Sequence, residues 1–145
     1  MKIIVNASTL VIGGGIQVGV SFKEHAIENT DFEWLFLVSK GIYENLNYKL
    51  KLDERIVCIV ELPAKIVSWY KSRKIIKRYV NKFNPILIYS IGFPSYIRFR
   101  KIEIGRYTNP WEFNPKPLPW HIIDGLLNKL KIRLGGFWKK CHVLR

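Results

Sequence analysis

The 145-residue sequence lacks several features that would place it in a familiar class. Its two cysteines, Cys58 and Cys141, support neither a disulfide framework nor a zinc site, and Cys58 is expected to be a buried thiol. No apolar run approaches the roughly 20 residues that a membrane-spanning helix needs. The N-terminus enters a strand-like segment directly, without the apolar region and cleavage site of a signal peptide. We therefore expect a cytoplasmic protein, or a peripheral one at the inner face of the cell membrane.

Acidic residues are scarce in the second part of the chain. Residues 1–61 carry six Lys and Arg against eight Asp and Glu, whereas residues 62–145 carry 18 against three. The formal net charge of +13 therefore arises from the second part. This asymmetry indicates an anionic partner, for which nucleic acid, phosphorylated small molecules and acidic lipid headgroups are the candidates.

Short β-branched runs alternate with longer amphipathic segments along the chain. This order is typical of βαβ units, so residues 1–145 are predicted to form one α/β domain, a Rossmann-like parallel sheet with helices on both faces. Ligands of such sheets bind beyond the carboxyl ends of the strands. Strands are predicted at 2–8, 33–39, 55–62, 86–92 and 101–107, with the start of a sixth at 141–145, and helices at 16–28, 41–46, 64–83 and 121–138.

Three consecutive glycines, Gly13, Gly14 and Gly15, separate the first predicted strand from the first predicted helix. Glycine adopts positive φ and leaves the backbone bare, so the N–H groups at the helix start can bind an anion such as a phosphate. A tight turn without a ligand explains the glycines about equally well. The chain lacks the lysine of a P-loop, and Val18 stands where the dinucleotide-binding fingerprint requires a glycine.

The segment MKIIVNASTLVIGGGIQVGVSF at 1–22 resembles the start of retaining glycosyltransferases of the group 1 type, called family 4. Residues 86–113 resemble the fourth and fifth strands of the same family, with an Asn-Pro-Trp loop seen in a bacterial subset of it. The resemblance implies the N-terminal, acceptor-side half of the two-domain GT-B fold. Residues 1–145 contain no second α/β half and no Glu-x7-Glu motif, so we expect a fragment that is inactive by itself.

The same resemblance implies a reaction. A sugar would pass from a nucleotide-sugar donor, which is a substrate rather than a cofactor, to a glycan or lipid-linked acceptor in bacterial surface polysaccharide synthesis. The family needs no metal, because helix dipoles and basic side chains can stabilise the leaving diphosphate. The missing C-terminal domain would hold the donor.

Candidate site residues also follow from the resemblance. Asn109 stands where many relatives carry a His or Asp in the cleft between the domains, and Glu112 is the one carboxylate of the same loop; both are our candidates for catalysis. An asparagine can hydrogen-bond a sugar hydroxyl but cannot act as a base, and ordinary loop chemistry is the competing interpretation of both residues. The candidate donor- and acceptor-binding residues are Gly13, Gly14, Gly15, Gln17, Arg98 and Arg106.

The predicted helix at 64–83 interleaves basic and aromatic residues. This composition suits an anionic membrane surface, and the resemblance implies membrane attachment for enzymes with lipid-linked acceptors. A helix that covers the sheet with Ile66, Ile76, Val80 and Phe83 and has a solvated outer face explains the pattern about equally well. A basic nucleic-acid- or phosphate-binding module without catalysis is the alternative function, although no recognition motif is readable. The candidate membrane-binding residues are Lys71, Arg73, Lys74, Lys77 and Arg78.

Overall fold

The computed structural model describes residues 1–28 and 31–107, and for residues 106 and 107 it describes the backbone only. This part of the chain forms five strands and four helices. The predicted helix at 121–138 and the predicted strand at 141–145 lie outside the described residues. The elements are β1 (Lys2–Ala7), α1 (Gly14–Glu28), β2 (Glu33–Ser39), α2 (Lys40–Asn45), α3 (Tyr48–Lys51), β3 (Ile56–Ile59), α4 (Ile66–Phe83), β4 (Leu87–Phe93) and β5 (Ile102–Tyr107).

All five strands run parallel in one open sheet, in the order β3-β2-β1-β4-β5. The central strand is β1, whose Val5 lies opposite Phe36 of β2 and Tyr89 of β4. The chain adds β2 and β3 on one side of β1 and then crosses over to add β4 and β5 on the other. The α/β class predicted from the sequence is confirmed, and the topology is Rossmann-like. The strand order reverses between β1 and β4, which is where sheets of this kind bind ligands.

Helices cover both faces of the sheet, because alternate side chains of a buried strand point to opposite faces. Val5 of β1 belongs to a core cluster that α1 and α2 cover. Ile4 of the same strand belongs to the opposite cluster, which includes Ile76 and Val80 of α4. Burial on both faces explains why the apolar run of β1 is nearly continuous in the sequence. The predicted placement of helices on both faces is confirmed.

The ends of several helices differ from the sequence-based prediction. Gly14 and Gly15 are the first two residues of α1, so only Gly13 remains in the turn. The short helix α3 was not predicted, and it begins because the side chain of Asn47 accepts a hydrogen bond from the Leu50 N–H group at 2.9 Å.

The expectation that Ile66 covers the sheet is wrong. Ile66 is 73% exposed, because the first turn of α4 projects beyond the core. The first α4 residue that is buried is Ser72, and Ile76 and Val80 follow it on the inner side of the helix. The prediction that α4 covers the sheet therefore holds only from its second turn onwards.

Lys23 is the one charged residue among the buried residues of the described chain. It lies on the inner side of α1 and is 1% exposed, and its Nζ has no hydrogen-bond partner among the described residues. Burial lowers the pKa of Lys23 to about 8, although the charges of Asp53 and Glu24 oppose the shift. The folded domain therefore carries an amine whose charged form is poorly solvated.

Replacing Lys23 by Met is expected to stabilise the domain by about 2 kcal/mol at pH 7, because folding no longer has to desolvate a charge. With a pKa of about 8 when folded and 10.5 as the ordinary value, the folded state binds fewer protons than the unfolded state between these limits. The loss of stability caused by burying the charged amine is therefore complete below pH 8, and it disappears as the pH rises towards 10.5. Urea denaturation across this range should show the stabilities of the two proteins converging.

Lys49→Met is the control for this experiment, because Lys49 is exposed. This variant should differ little from the wild type at any pH. A stability difference for Lys23→Met that stays constant with pH, or a loss of stability at pH 7, would contradict the assignment.

Candidate functional site

A cleft of about 300 Å³ lies at the carboxyl ends of β1 and β4. It occupies the position where the strand order reverses, with the loop after β1 on one side and the first turns of α1 on the other. The residues that line it are Thr9, Leu10, Val11, Ile12, Gly15, Val18 and Ile91.

The loop after β1 is fixed by hydrogen bonds to both neighbouring strands. The Thr9 hydroxyl donates to the carbonyl oxygen of Gly92 at 2.8 Å, which ties the loop to the end of β4. The Ser39 hydroxyl, at the end of β2, donates to the carbonyl oxygen of Leu10. The Leu10 N–H group donates to the carbonyl oxygen of Ala7 at 3.2 Å and closes a turn within the loop. The backbone that forms one wall of the cleft is therefore hydrogen-bonded to the ends of β1, β2 and β4.

The side chain of Leu10 fits against three glycines, and we call this arrangement the Leu10 socket (Leu10, Gly15, Gly19 and Gly92). A Cβ atom at Gly92 would lie 2.5 Å from Leu10 Cδ2, and one at Gly15 would lie 3.2 Å from the same atom. A Cβ atom at Gly19 would lie 3.6 Å from Leu10 Cδ1, which is an ordinary contact distance, but only 2.5 Å from Ile42 Cδ1 of α2. Gly92 also has a φ of +81°, which L side chains rarely adopt. The socket brings α1 and the end of β4 close to the β1 loop.

The three consecutive glycines therefore have different structural roles. Gly13 has a φ of +59° and forms the turn, and Gly15 makes room for Leu10. Gly14 is helical, and a Cβ atom there would meet nothing within 4 Å. The backbone conformation favours glycine at the first position, and a side chain at the third would have to displace Leu10 slightly, whereas the second position has room for one. The backbone at Gly13 and Gly14 is open to solvent, and the first amides of a helix have no partner within that helix.

Buried polar side chains connect the same strands on the opposite, α4-covered face of the sheet. Asn6 Nδ2 donates to Ser90 Oγ at 3.3 Å, and Ser90 Oγ donates to Glu103 Oε1 at 2.5 Å. Ser8 Oγ donates to Asn6 Oδ1 at 2.7 Å. Burial raises the pKa of Glu103, and its hydrogen bonds from Ser90 and Ser95 oppose the shift. These groups satisfy one another, so the cluster ties β1, β4 and β5 together rather than presenting groups to a ligand.

The glycines predicted from the sequence as binding residues lie at the cleft. Gly15 lines it, Gly13 and Gly14 precede Gly15 at its rim, and Gln17 is exposed on α1. Arg98 is exposed in the loop between β4 and β5, on the α4-covered face, where the flanking residues 97 and 99 pack into the core. Arg98 is not among the described residues that line the cleft.

The remaining predicted site residues come later in the chain. The backbone of Arg106 lies in β5 opposite Ile91 of β4, and its side chain lies outside the described part of the structure. The predicted catalytic residues Asn109 and Glu112 lie outside the described residues altogether. Sequence reasoning did not find Thr9 or Leu10, although both directly follow the first predicted strand.

All five predicted membrane-binding residues lie on α4. Lys71, Lys74 and Arg78 are exposed, and Arg73 and Lys77 are partly buried. The ion pairs formed by described residues do not involve α4. One joins β1 to β2, one lies within α2, and one lies in the turn before β3. A shallow depression of about 610 Å³ follows this basic side of the helix.

Other chemistry has little support within residues 1–28 and 31–107. Cys58 is partly buried rather than fully buried, and burial raises the pKa of its thiol. The described residues contain no group of three or more His, Cys, Asp or Glu side chains that could hold a metal ion. Among the described helices, none combines the length and the apolar character needed to cross a bilayer.

Comparison with protein-family models, with curated proteins and with solved structures gives no match for this sequence.

Replacing Gly92 by Ala is expected to destabilise the domain by about 2–4 kcal/mol, because the new Cβ atom would overlap Leu10 in a backbone conformation unfavourable for alanine. Gly14→Ala is the matched control, since the same methyl group there meets open space. Its stability should change by less than about 1 kcal/mol. Urea denaturation of the two variants measures the difference, and equal stabilities would refute the Leu10 socket.

Proposed function

We propose that this chain is the N-terminal, acceptor-side half of a GT-B glycosyltransferase of the group 1 type. The reaction would transfer a sugar from a nucleotide-sugar donor to an acceptor in bacterial surface polysaccharide synthesis. The observation that carries the proposal is the open backbone at Gly13 and Gly14, which adjoins a cleft where the strand order reverses. The resemblance of residues 1–22 to this family covers the same turn.

The chemistry of the reaction explains why an open backbone is useful there. The acceptor hydroxyl oxygen bonds to the sugar as the bond between the sugar and the diphosphate breaks. Negative charge develops on the departing diphosphate, which takes up the proton that the acceptor hydroxyl gives up. Unpaired amides and the positive end of the α1 dipole stabilise such a charge. A bare backbone at Gly14 allows the phosphate to approach these amides closely.

The apolar lining of the cleft favours a lipid-linked acceptor over a free glycan. Val11, Ile12 and Val18 all expose part of their side chains, and Ile12 is 80% exposed. The Thr9 hydroxyl already donates to the carbonyl oxygen of Gly92. Sugar hydroxyls that leave water need polar partners, whereas a lipid carrier gains from apolar contact.

The test measures release of nucleoside diphosphate by the full-length protein from a panel of UDP-, GDP- and dTDP-sugars, with polyprenyl-diphosphate-linked sugars as acceptors. Gly14→Trp is expected to lower kcat/KM by about 100-fold or more, because the indole would fill the space that the donor phosphate needs. The midpoint of thermal unfolding should stay close to that of the wild type, since no described atom lies within 4 Å of a Cβ at this position.

Glu28→Trp is the matched control, because Glu28 is exposed at the opposite end of α1. This variant should retain wild-type turnover. The proposal fails if the wild-type protein releases nucleoside diphosphate from none of the donors, or if Gly14→Trp turns over as fast as the wild type.

A further inference from the structure

The first turn of α4 exposes a group of large apolar side chains that the proposed cleft does not use. Val67 is 95% exposed, Ile66 is 73% exposed and Tyr70 is 68% exposed. We call these three residues the apolar tip. They are consecutive or one turn apart on the helix, so they form one patch rather than scattered exposed residues. Large apolar side chains exposed side by side make this turn a candidate interaction site.

The same side of α4 becomes basic immediately after the apolar tip. Lys71 and Lys74 follow Val67 at spacings of four and seven residues, and Arg78 follows Lys74 four residues later. This spacing places the three exposed cations along one face with Val67. The inner side of the helix, from Ser72 to Val80, is buried against the sheet. The solvent-facing side of α4 therefore combines an apolar end with a row of cations.

A second element adds to this positive charge. Trp69 Nε1 donates to the carbonyl oxygen of Tyr96 at 2.7 Å, which fastens the loop between β4 and β5 to α4. The pKa of Lys77 is lowered first by burial and then by the nearby charges of Arg73 and Arg100. Arg100 belongs to the loop between β4 and β5, so this loop brings a further cation close to α4. The Arg73 guanidinium lies over the Trp69 ring, 5.0 Å from its centroid.

Carboxylates that could neutralise these cations are almost absent from this part of the sequence. Glu103 is the only Asp or Glu between residues 62 and 107, and it accepts a hydrogen bond from buried Ser90. Among the described residues, none of the α4 cations forms an ion pair with a carboxylate. Within the described part of the chain the α4 cations therefore have no carboxylate partner, which favours an anionic partner for this face.

We propose that the solvent-facing side of α4 docks onto an anionic lipid bilayer, with the apolar tip inserted at the level of the headgroups and the cations against lipid phosphates. The apolar tip is what favours a bilayer over nucleic acid, since a nucleic-acid backbone offers phosphates but no apolar phase for Val67 and Ile66. This inference rests on the contacts of α4 and of the loop before β5. It deepens the membrane attachment that the family resemblance implies, and its vesicle test needs no transferase activity.

The test is co-sedimentation of the full chain with vesicles of phosphatidylcholine containing about 30% phosphatidylglycerol, compared with vesicles of phosphatidylcholine alone. The wild type should co-sediment with the anionic vesicles and should stay in the supernatant with the neutral ones. Lys74→Gln/Arg78→Gln should lower the partition coefficient at low salt by about tenfold or more. Ile66→Ser/Val67→Ser should also lower it about tenfold, and this loss should persist at higher salt, since it removes apolar rather than electrostatic affinity.

Matched controls separate docking from general effects of charge and hydrophobicity. Lys40→Gln/Lys49→Gln removes two exposed cations away from α4, and Ile86→Ser removes an isoleucine that is 59% exposed just before β4. Both controls should sediment like the wild type, and circular dichroism checks that each variant is folded.

Three outcomes would overturn the proposal. The wild type could fail to bind anionic vesicles at low salt, or Ile66→Ser/Val67→Ser could bind as tightly as the wild type. In the third, duplex DNA displaces the protein from the vesicles, and the Ile66→Ser/Val67→Ser variant binds that DNA as tightly as the wild type does. This result would assign the basic face of α4 to nucleic acid.

Discussion

The side chain of Leu10 lies where the first strand, the first helix and the end of the fourth strand meet. It can lie there because Gly15 and Gly92 leave room for it, and any Cβ at Gly92 would overlap it. The hydrogen bond from Thr9 to the Gly92 carbonyl oxygen fixes the same loop from the polar side. Because the loop is anchored in this way, the turn at Gly13 that follows it has a defined position at the carboxyl edge of the sheet. The cleft and the open backbone beside it depend on that anchoring.

The opposite face of the sheet is fixed at the same level by polar rather than apolar contacts. Asn6 and Ser90 are hydrogen-bonded across β1 and β4, and Glu103 extends the chain of bonds to β5. Buried polar groups stabilise a fold only when they have partners, and each of these has one. The strands that flank the cleft are therefore joined by packing on one face and by hydrogen bonds on the other, which favours a preformed cleft over one that a ligand must organise.

All five described strands and the helices α1, α2 and α4 were predicted from the sequence because each carries a local signal, whereas the single-turn helix α3 was missed. The continuous apolar run of β1 marks a strand buried on both faces. The helix α4 ends at Phe83, where Asn84 adopts a left-handed conformation before Pro85. The details of the site depend on contacts that no local pattern records. Gly92 is constrained by Leu10, 82 positions earlier in the chain. Ile66 shares the helical period of the core residues and is nevertheless exposed, because periodicity does not tell where a helix leaves the sheet.

The direction of α4 links the two proposals. The N–H group of Ile86, just after this helix, donates to the carbonyl oxygen of Lys2 at the start of β1, so α4 ends at the amino edge of the sheet and begins at the carboxyl edge. The apolar tip and the cleft therefore both lie at the carboxyl edge of the sheet, on opposite faces of it. Packed layers are about 10 Å apart, so the two features are near each other. A domain docked through this tip would hold its cleft close to the bilayer, with Ile12 exposed at the rim. A lipid-linked acceptor could then place its sugar and the adjoining part of its lipid at the cleft while the rest of the lipid stays in the membrane. An acceptor free in solution would not require this arrangement.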